Sequence, residues 1–486
     1  SNLVFDESSS NREASHGYAW WFSGDTFEKA MAEDAASKRG LTRRLVNHPG
    51  RLTIFYFLTL AALSTTLLMT PIATPKDETT TFTTAFFTAV SAISTCGISI
   101  VNSTTHWTTF GQGVLIFAVQ RVLGVMTFAS LIALAVNHHL KATQRMLTAN
   151  ELGTTKLGEI KGVLTVVITT AFVIEGITFV ALFPGLYKVN HGNVRHTLWE
   201  SLFFAVMAYN NAGFTPDGAG LHVNNWAVGL PILASAFCGT LGFPVLLNLM
   251  RSWRMLVSEA LELHTKLTLT TTFCIVIASF TWFLLMEWNN KLLFAGDGIE
   301  PRLWHAMVAA VMHEAPDLTV VDASVSDATK VFLSIVMFIG GGSTSTAGGI
   351  RVTTFAVTLL TVVAAFNRRH DINAFHRRIH TQAVMTAVAV STACLMLVTV
   401  VSMALMIITG CSLCDALFDT CSAFGLGGYS VGVAMKAAHG AYILAATMFI
   451  GRLGPLTIAY AISRPHNLEA VRLPHRADRG RLTIRL

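Results

Sequence analysis

Residues 198–214 read LWESLFFAVMAYNNAGF, and the way this stretch stops decides the architecture. Residues 198–211 are mainly apolar, yet they fall short of the roughly 20 residues a helix needs to cross a bilayer. They run into Asn210-Asn211-Ala212-Gly213-Phe214, where amides and a glycine replace the apolar side chains. A helix ending midway through a membrane leaves its last carbonyls unsatisfied, which lipid penalises and a water-filled cavity tolerates. The stretch therefore reads as a re-entrant half-helix followed by an irregular, cavity-lining turn.

Working outward, the same pattern recurs three times. Short apolar stretches near 83–95, 303–314 and 413–424 run into Ser94-Thr95-Cys96-Gly97-Ile98-Ser99, His313-Glu314-Ala315-Pro316-Asp317-Leu318 and Ala423-Phe424-Gly425-Leu426-Gly427-Gly428-Tyr429-Ser430. Taking Gly97, Gly213, Asp317 and Gly428 as equivalent gives spacings of 116, 104 and 111 residues. Longer apolar runs flank each copy, near 52–71, 113–137, 161–184, 226–250, 268–287, 328–364, 384–409 and 439–462. The pattern predicts an all-α membrane protein with eight transmembrane helices plus four re-entrant pore helices, fourfold pseudosymmetric about one central ion pore. The repeats run 51–140, 141–256, 257–368 and 369–465, between a cytoplasmic N-terminal segment, 1–50, and a cytoplasmic tail, 466–486.

One glycine after an apolar helix is by itself an ordinary C-cap. Three in register, between full spans, point instead to a pore. Half-helix carboxyl ends carry partial negative charge, so four aimed at one cavity favour a cation. Glycine frees the backbone to turn its carbonyls into a narrow path, where they replace the water around an alkali ion.

Composition agrees, since 52% hydrophobic and only 13% charged residues exclude an ordinary soluble domain. Basic residues alternate along the chain: Lys38, Arg39, Arg43, Arg44 and Arg51 precede the first span, Lys141, Arg145 and Lys156 follow the second, and Arg251 and Arg254 follow the fourth. Arg368, Arg369, Arg377 and Arg378 follow the sixth, and Arg464, Arg472, Arg476, Arg479, Arg481 and Arg485 mark the tail. Positive loops stay cytoplasmic, which places both termini on the cytoplasmic side of the cell membrane. These flanks account for the net charge of +6 through topology and contact with anionic membrane lipids, with no nucleic-acid partner. The first fifty residues hold no apolar segment before a small-residue cleavage site, so the amino terminus is expected to stay attached. Seven cysteines, scattered mostly through apolar runs, make no disulfide framework. Cys411 and Cys414 form a lone CxxC without further ligands at zinc spacing and read as ordinary thiols.

Gly340-Gly341-Gly342-Ser343-Thr344-Ser345-Thr346-Ala347-Gly348-Gly349 interrupts the sixth apolar run and breaks its helix. It lacks the Gly-Lys-Ser/Thr ending of a phosphate loop. Arg452 sits centrally in the last run, where a charge faces a cavity or a partner; a snorkelling or structurally paired arginine is the plainer alternative. Arg351, just past the glycine loop, reads equally as a functional residue or a topology anchor.

Several long stretches, Asn210-Asn211-Ala212-Gly213-Phe214, Met337 to Thr354, Ser422-Ala423-Phe424-Gly425 and Met448 to Leu456, resemble the Trk/Ktr/HKT superfamily of cation transporters. Gln120 and Gly242-Phe243-Pro244 resemble that family's inner helices. The resemblance spans roughly residues 50–465 and is nearest the bacterial Ktr-type potassium-translocating membrane subunit. It implies gated, passive potassium uptake and no enzyme activity. The implied filter comprises Thr95, Cys96, Gly97, Asn211, Ala212, Gly213, Pro316, Asp317, Gly427 and Gly428, with K+ at Gly97, Gly213 and Gly428. The glycine loop becomes an intramembrane gate, which a regulator biases between two states. Arg452 becomes an electrostatic barrier below the filter. The resemblance further implies a homodimer with one pore per protomer, resting on a cytosolic ring of nucleotide-binding regulatory subunits, and no cofactor beyond the transported K+.

The third segment departs from the family's Thr-Ala-Gly-Phe, carrying Ala315-Pro316-Asp317-Leu318. An Asp317 carboxylate on the path attracts a cation by about 4 kcal/mol at about 4 Å with an effective dielectric near 20, which would favour Na+ or weaken selectivity. The alternative turns that side chain away and uses its carbonyl alone. A membrane metalloenzyme built on His313, Glu314 and Asp317 is the remaining class; it lacks a His-Glu-x-x-His motif and a second ligand cluster.

Overall fold

A computed structural model describes residues 49–75, 79–121, 157–216, 225–255, 263–290, 298–312, 325–343, 345–368, 372–375, 377–379 and 381–454. Over these residues the chain is helical apart from turns and one two-residue hairpin. The elements are α1 Pro49–Leu68, α2 Phe82–Ser94, α3 Ser103–His106, α4 over 109–121, α5 Leu157–Val189, α6 Val194–Asn210, α7 Trp226–Leu241 and α8 Phe243–Met255. They continue with α9 Leu263–Met286, α10 Ile299–Val311, α11 Asp327–Ile339, α12 Val352–Phe366, α13 Thr381–Thr409, α14 Leu413–Gly425, α15 Val433–Lys436 and α16 Ala438–Leu453. The hairpin, β1 Asn373–Ala374 and β2 Arg377–Arg378, joins α12 to α13.

Among the described residues, three helices are long and apolar enough to cross a membrane: Val166–Val189, Leu263–Met286 and Thr381–Thr409. Their outward faces carry large exposed side chains, among them Ile177, Leu285, Met385 and Ile407, the last 85% exposed. Such continuous apolar faces match a lipid environment. The half-helices show the reverse: α2, α6 and α14 are buried almost throughout their second halves. Side-chain caps start them, with Thr81, Asn193 and Ser412 each accepting the backbone N–H three residues on.

Packing follows one order. Each of α1, α5, α9 and α13 lies against the half-helix that follows it, α2, α6, α10 and α14. The next long element then reaches the following half-helix: α7 against α10, α11 against α14, and α16 against α2. α4 meets α6 through Gln112, whose side-chain carbonyl accepts the Trp199 indole N–H at 2.8 Å. The last contact joins chain ends, with Thr83 and Tyr442 hydroxyls 2.9 Å apart.

Two apolar runs are not single helices. The fourth, 226–250, divides at Gly242 into α7 and α8, bent by 103°. Gly242 has φ +87, and a Cβ there would stand 2.5 Å from the Ser343 carbonyl, so only glycine lets the loop approach this closely. Pro244 falls in the first turn of α8, where its missing N–H is no loss. The sixth run breaks between Ile339 and Val352, as the glycine content predicts. The second and eighth runs are described only to 121 and 454, and the terminal segments lie outside the described residues.

Candidate functional site

The half-helices α2, α6 and α14 end alike. Thr95, Asn211 and Leu426 each take the left-handed conformation, with φ of 55, 53 and 59. The next residue then bonds back into the helix: Cys96 N–H to Ser91 at 2.9 Å, Ala212 N–H to Met207 at 2.9 Å and Gly427 N–H to Ser422 at 2.8 Å. For residues with a Cβ this conformation costs about 1–2 kcal/mol, so the surroundings must impose it. Two residues on, Gly97, Gly213 and Gly428 all have positive φ, 87, 61 and 73. Three of the four sequence-derived segments thus share one backbone register. The first two also touch: a Cβ on Gly97 would stand 2.8 Å from the Ala212 carbonyl and 3.0 Å from Gly213 Cα.

The fourth segment is tied down from behind. Asp419, fully buried on α14, accepts the Val431 and Val433 N–H groups at 2.8 and 3.0 Å and the Ser430 hydroxyl at 2.8 Å. Tyr429 donates its hydroxyl to the Met312 carbonyl at 3.2 Å, linking this segment to the end of α10. α10 ends at Val311, and its cap Met312 has φ −97 rather than a left-handed value. In the other copies the last helical residue precedes the glycine by three positions, behind a left-handed cap that α10 lacks. Pro316 and Asp317, with His313 and Glu314, lie outside the described residues.

Against these turns runs the glycine loop between α11 and α12, of which Thr344 alone lies outside the described residues. Its backbone is bonded to two other elements. Gly342 and Thr346 N–H groups donate to Thr240 and Gly239 of α7 at 2.8 and 3.2 Å, and Gly348 and Gly349 donate to Gly425 and Phe424 of α14 at 3.2 and 3.3 Å. Thr346 is the hub. Its hydroxyl accepts from Asn211 Nδ2 at 2.9 Å and donates to the Tyr209 carbonyl at 3.3 Å, while its own carbonyl accepts from Thr95 Oγ1 at 3.1 Å and from Arg452 Nη1. One residue therefore meets the caps of the first and second half-helices and the buried arginine of α16.

Arg452 is 3% exposed and engages this loop. Arg351 is engaged as well: its Nη1 donates to the carbonyls of Gly342 and Ala347 at 3.3 and 2.6 Å and to Ser345 Oγ at 3.3 Å, cross-bracing the loop from its exit. A topology anchor alone would need none of these bonds. Close packing fixes the assembly, since a Cβ on Gly425 would lie 2.0 Å from the Met337 carbonyl and one on Gly451 2.0 Å from that of Phe424. Cys411 and Cys414 are free thiols. The sequence reading overlooked Glu175, whose side chain meets that of Asn210 behind the second turn at 3.2 Å. An acid in the middle of an apolar span was the signal available.

The TrkH family model, described as a cation transport protein, matches residues 29–469. The chain belongs to the TrkH cation transport family. Among its relatives, Ktr system potassium uptake protein B of Bacillus subtilis (strain 168) is 35% identical over 422 residues, covering 86% of this chain and 93% of that protein. Potassium/sodium uptake protein NtpJ of Enterococcus hirae is 28% identical over 438 residues, 87% and 94% of the two chains. The solved potassium transporter TrkH from Vibrio parahaemolyticus shares the fold, with a TM-score of 0.65 over 85% of this chain and 84% of that one at 15% identity. A TrkH-family chain is a membrane transporter and not an enzyme, which sets aside the metalloenzyme reading of His313, Glu314 and Asp317.

Proposed function

We propose that this TrkH-family protein carries out gated potassium uptake across the cell membrane, with ions moving passively down their electrochemical gradient. The observation that carries the proposal is the shared register of Thr95-Cys96-Gly97, Asn211-Ala212-Gly213 and Leu426-Gly427-Gly428, three buried turns at the carboxyl ends of half-helices. Such ends offer partial negative charge and free carbonyls to a dehydrated cation. The packing order, with α16 returning to α2, supports four pseudosymmetric repeats around one path in which each repeat lends one filter segment. Potassium is the transported substrate, held at Gly97, Gly213 and Gly428.

The loop from Gly340 to Gly349 acts as the gate beneath the filter, and its bonds to α7, α14 and Arg452 hold it inward. Displacing it exchanges those bonds for water, a two-state change that a partner can bias. Arg452 places its positive charge below the filter as a barrier to cations. Both termini lie inside. The protein works as a homodimer with a pore per protomer, on a cytosolic ring of nucleotide-binding subunits, a partnership supported by its likeness to a Ktr system protein.

A second reading keeps the architecture but admits Na+. It is favoured by Asp317 where a filter glycine is expected and by the likeness to a potassium/sodium uptake protein. Rubidium uptake into bacteria lacking their own potassium uptake tests the proposal. Wild type is expected to restore uptake and Gly213→Ser to abolish it; restoration by neither, with both chains present in the membrane, would defeat the pore assignment.

A further inference from the structure

Glu175 lies within the span Val166–Val189 of α5 and is 5% exposed. A carboxyl group at such a depth is costly unless its oxygens are hydrogen-bonded, and intramembrane acids concentrate where they serve function. Each of its oxygens takes one amide. Oε1 accepts from Asn210 Nδ2 at 3.2 Å, and Oε2 accepts from Gln120 Nε2 at 3.1 Å. The three residues come from three elements: α5, the end of α4, and the last residue of α6.

The placement is what matters. Asn210 directly precedes Asn211, the left-handed cap that starts the second filter segment and whose own amide holds Thr346 of the loop. The amide oxygens of Asn210 and Gln120 are buried and accept no hydrogen bond among the described residues. Among the described residues, the Asn210 side chain is otherwise held only by its Nδ2 bond to the Val206 carbonyl of its own helix, at 2.9 Å. Within the described residues, Glu175 is therefore the group outside α6 that fixes this side chain. A shift there would reach Ala212 and Gly213, and through them Gly97, against which they pack.

We propose that Glu175 is a positioning residue for the second filter segment, clamping Asn210 and Gln120 together and so setting discrimination between K+ and Na+. This inference rests on the cation-pore reading. A residue kept only to satisfy buried polar groups would alter folding yield and leave the ion ratio of the surviving protein unchanged. A clamp moves the ratio.

The test is parallel Rb+ and Na+ uptake into proteoliposomes holding the intact purified chain, as wild type, Glu175→Gln, Glu175→Met and Gln120→Met. Glu175→Met, similar in shape but without acceptors, is expected to lower the Rb+/Na+ uptake ratio about tenfold, in line with the loss of two buried hydrogen bonds. Glu175→Gln accepts one amide and donates to an orphaned amide oxygen, so it is expected to stay within about twofold of wild type. An unchanged ratio in Glu175→Met, or a fall in Glu175→Gln as deep as in Glu175→Met, would overturn the inference. If Glu175→Met yields no folded protein, Gln120→Met decides: a lowered ratio supports the clamp and a wild-type ratio refutes it. Absence of ion uptake by wild type would instead contradict the pore reading beneath it.

Discussion

Single residues here act through backbone that passes very close to them. Gly425 illustrates the point, because a Cβ would sit 2.0 Å from the Met337 carbonyl and cannot be relieved by a side-chain rotation. Gly425→Ala is expected to destabilise the protein by about 1–3 kcal/mol or more through overpacking, read as a lower unfolding temperature in detergent. Gly410 is the contrast: it has φ +64 with nothing within 4 Å of the added carbon, so Gly410→Ala is expected to cost only about 1–2 kcal/mol of left-handed strain. Arg452 should be judged by flux rather than stability. On the proposed placement of its charge below the filter, Arg452→Gln is expected to raise Rb+ flux severalfold, and unchanged flux would remove it from the conduction path. Asp317 stands where the sequence resemblance expects a filter glycine; Asp317→Gly is expected to leave the K+/Na+ ratio unchanged if the side chain turns away, and to raise it if the carboxylate lines the path.

Among elements, the glycine loop is held by bonds that other groups can share, so its variants should interact. Thr346→Val removes the hydroxyl that Asn211 and Tyr209 use but keeps the carbonyl that Arg452 uses. It is expected to raise flux, and the double variant with Arg452→Gln to raise it by less than the product of the single effects, because both loosen one loop. The short helices α2, α6, α10 and α14 were legible in sequence because their length and their polar endings are properties of the chain alone. Leu198 to Phe214 gave the second turn, and Gly97 and Gly428 followed by spacing. The break at Gly242 was not, since Gly-Phe-Pro within an apolar run is compatible with a continuous span and the bend depends on Ser343, about a hundred residues away. Tertiary contacts likewise define the bracing by Arg351 and the link from Tyr429 to Met312.

For the whole molecule, the basic flanks predict an orientation that labelling checks directly. Leu413, at the start of α14, and Asn367, just after α12, are both exposed and stand on opposite sides of the proposed membrane. In a cysteine-free background, Leu413→Cys is expected to react with an impermeant thiol reagent applied outside intact cells, and Asn367→Cys only after lysis. The central claim is that the helices close around one potassium path, with the loop below it as gate. The most direct measurement is ion uptake by purified protein in liposomes under imposed gradients of potassium, rubidium, sodium and lithium. Potassium and rubidium uptake well above sodium and lithium is the expected result; sodium uptake equal to potassium would contradict the potassium assignment.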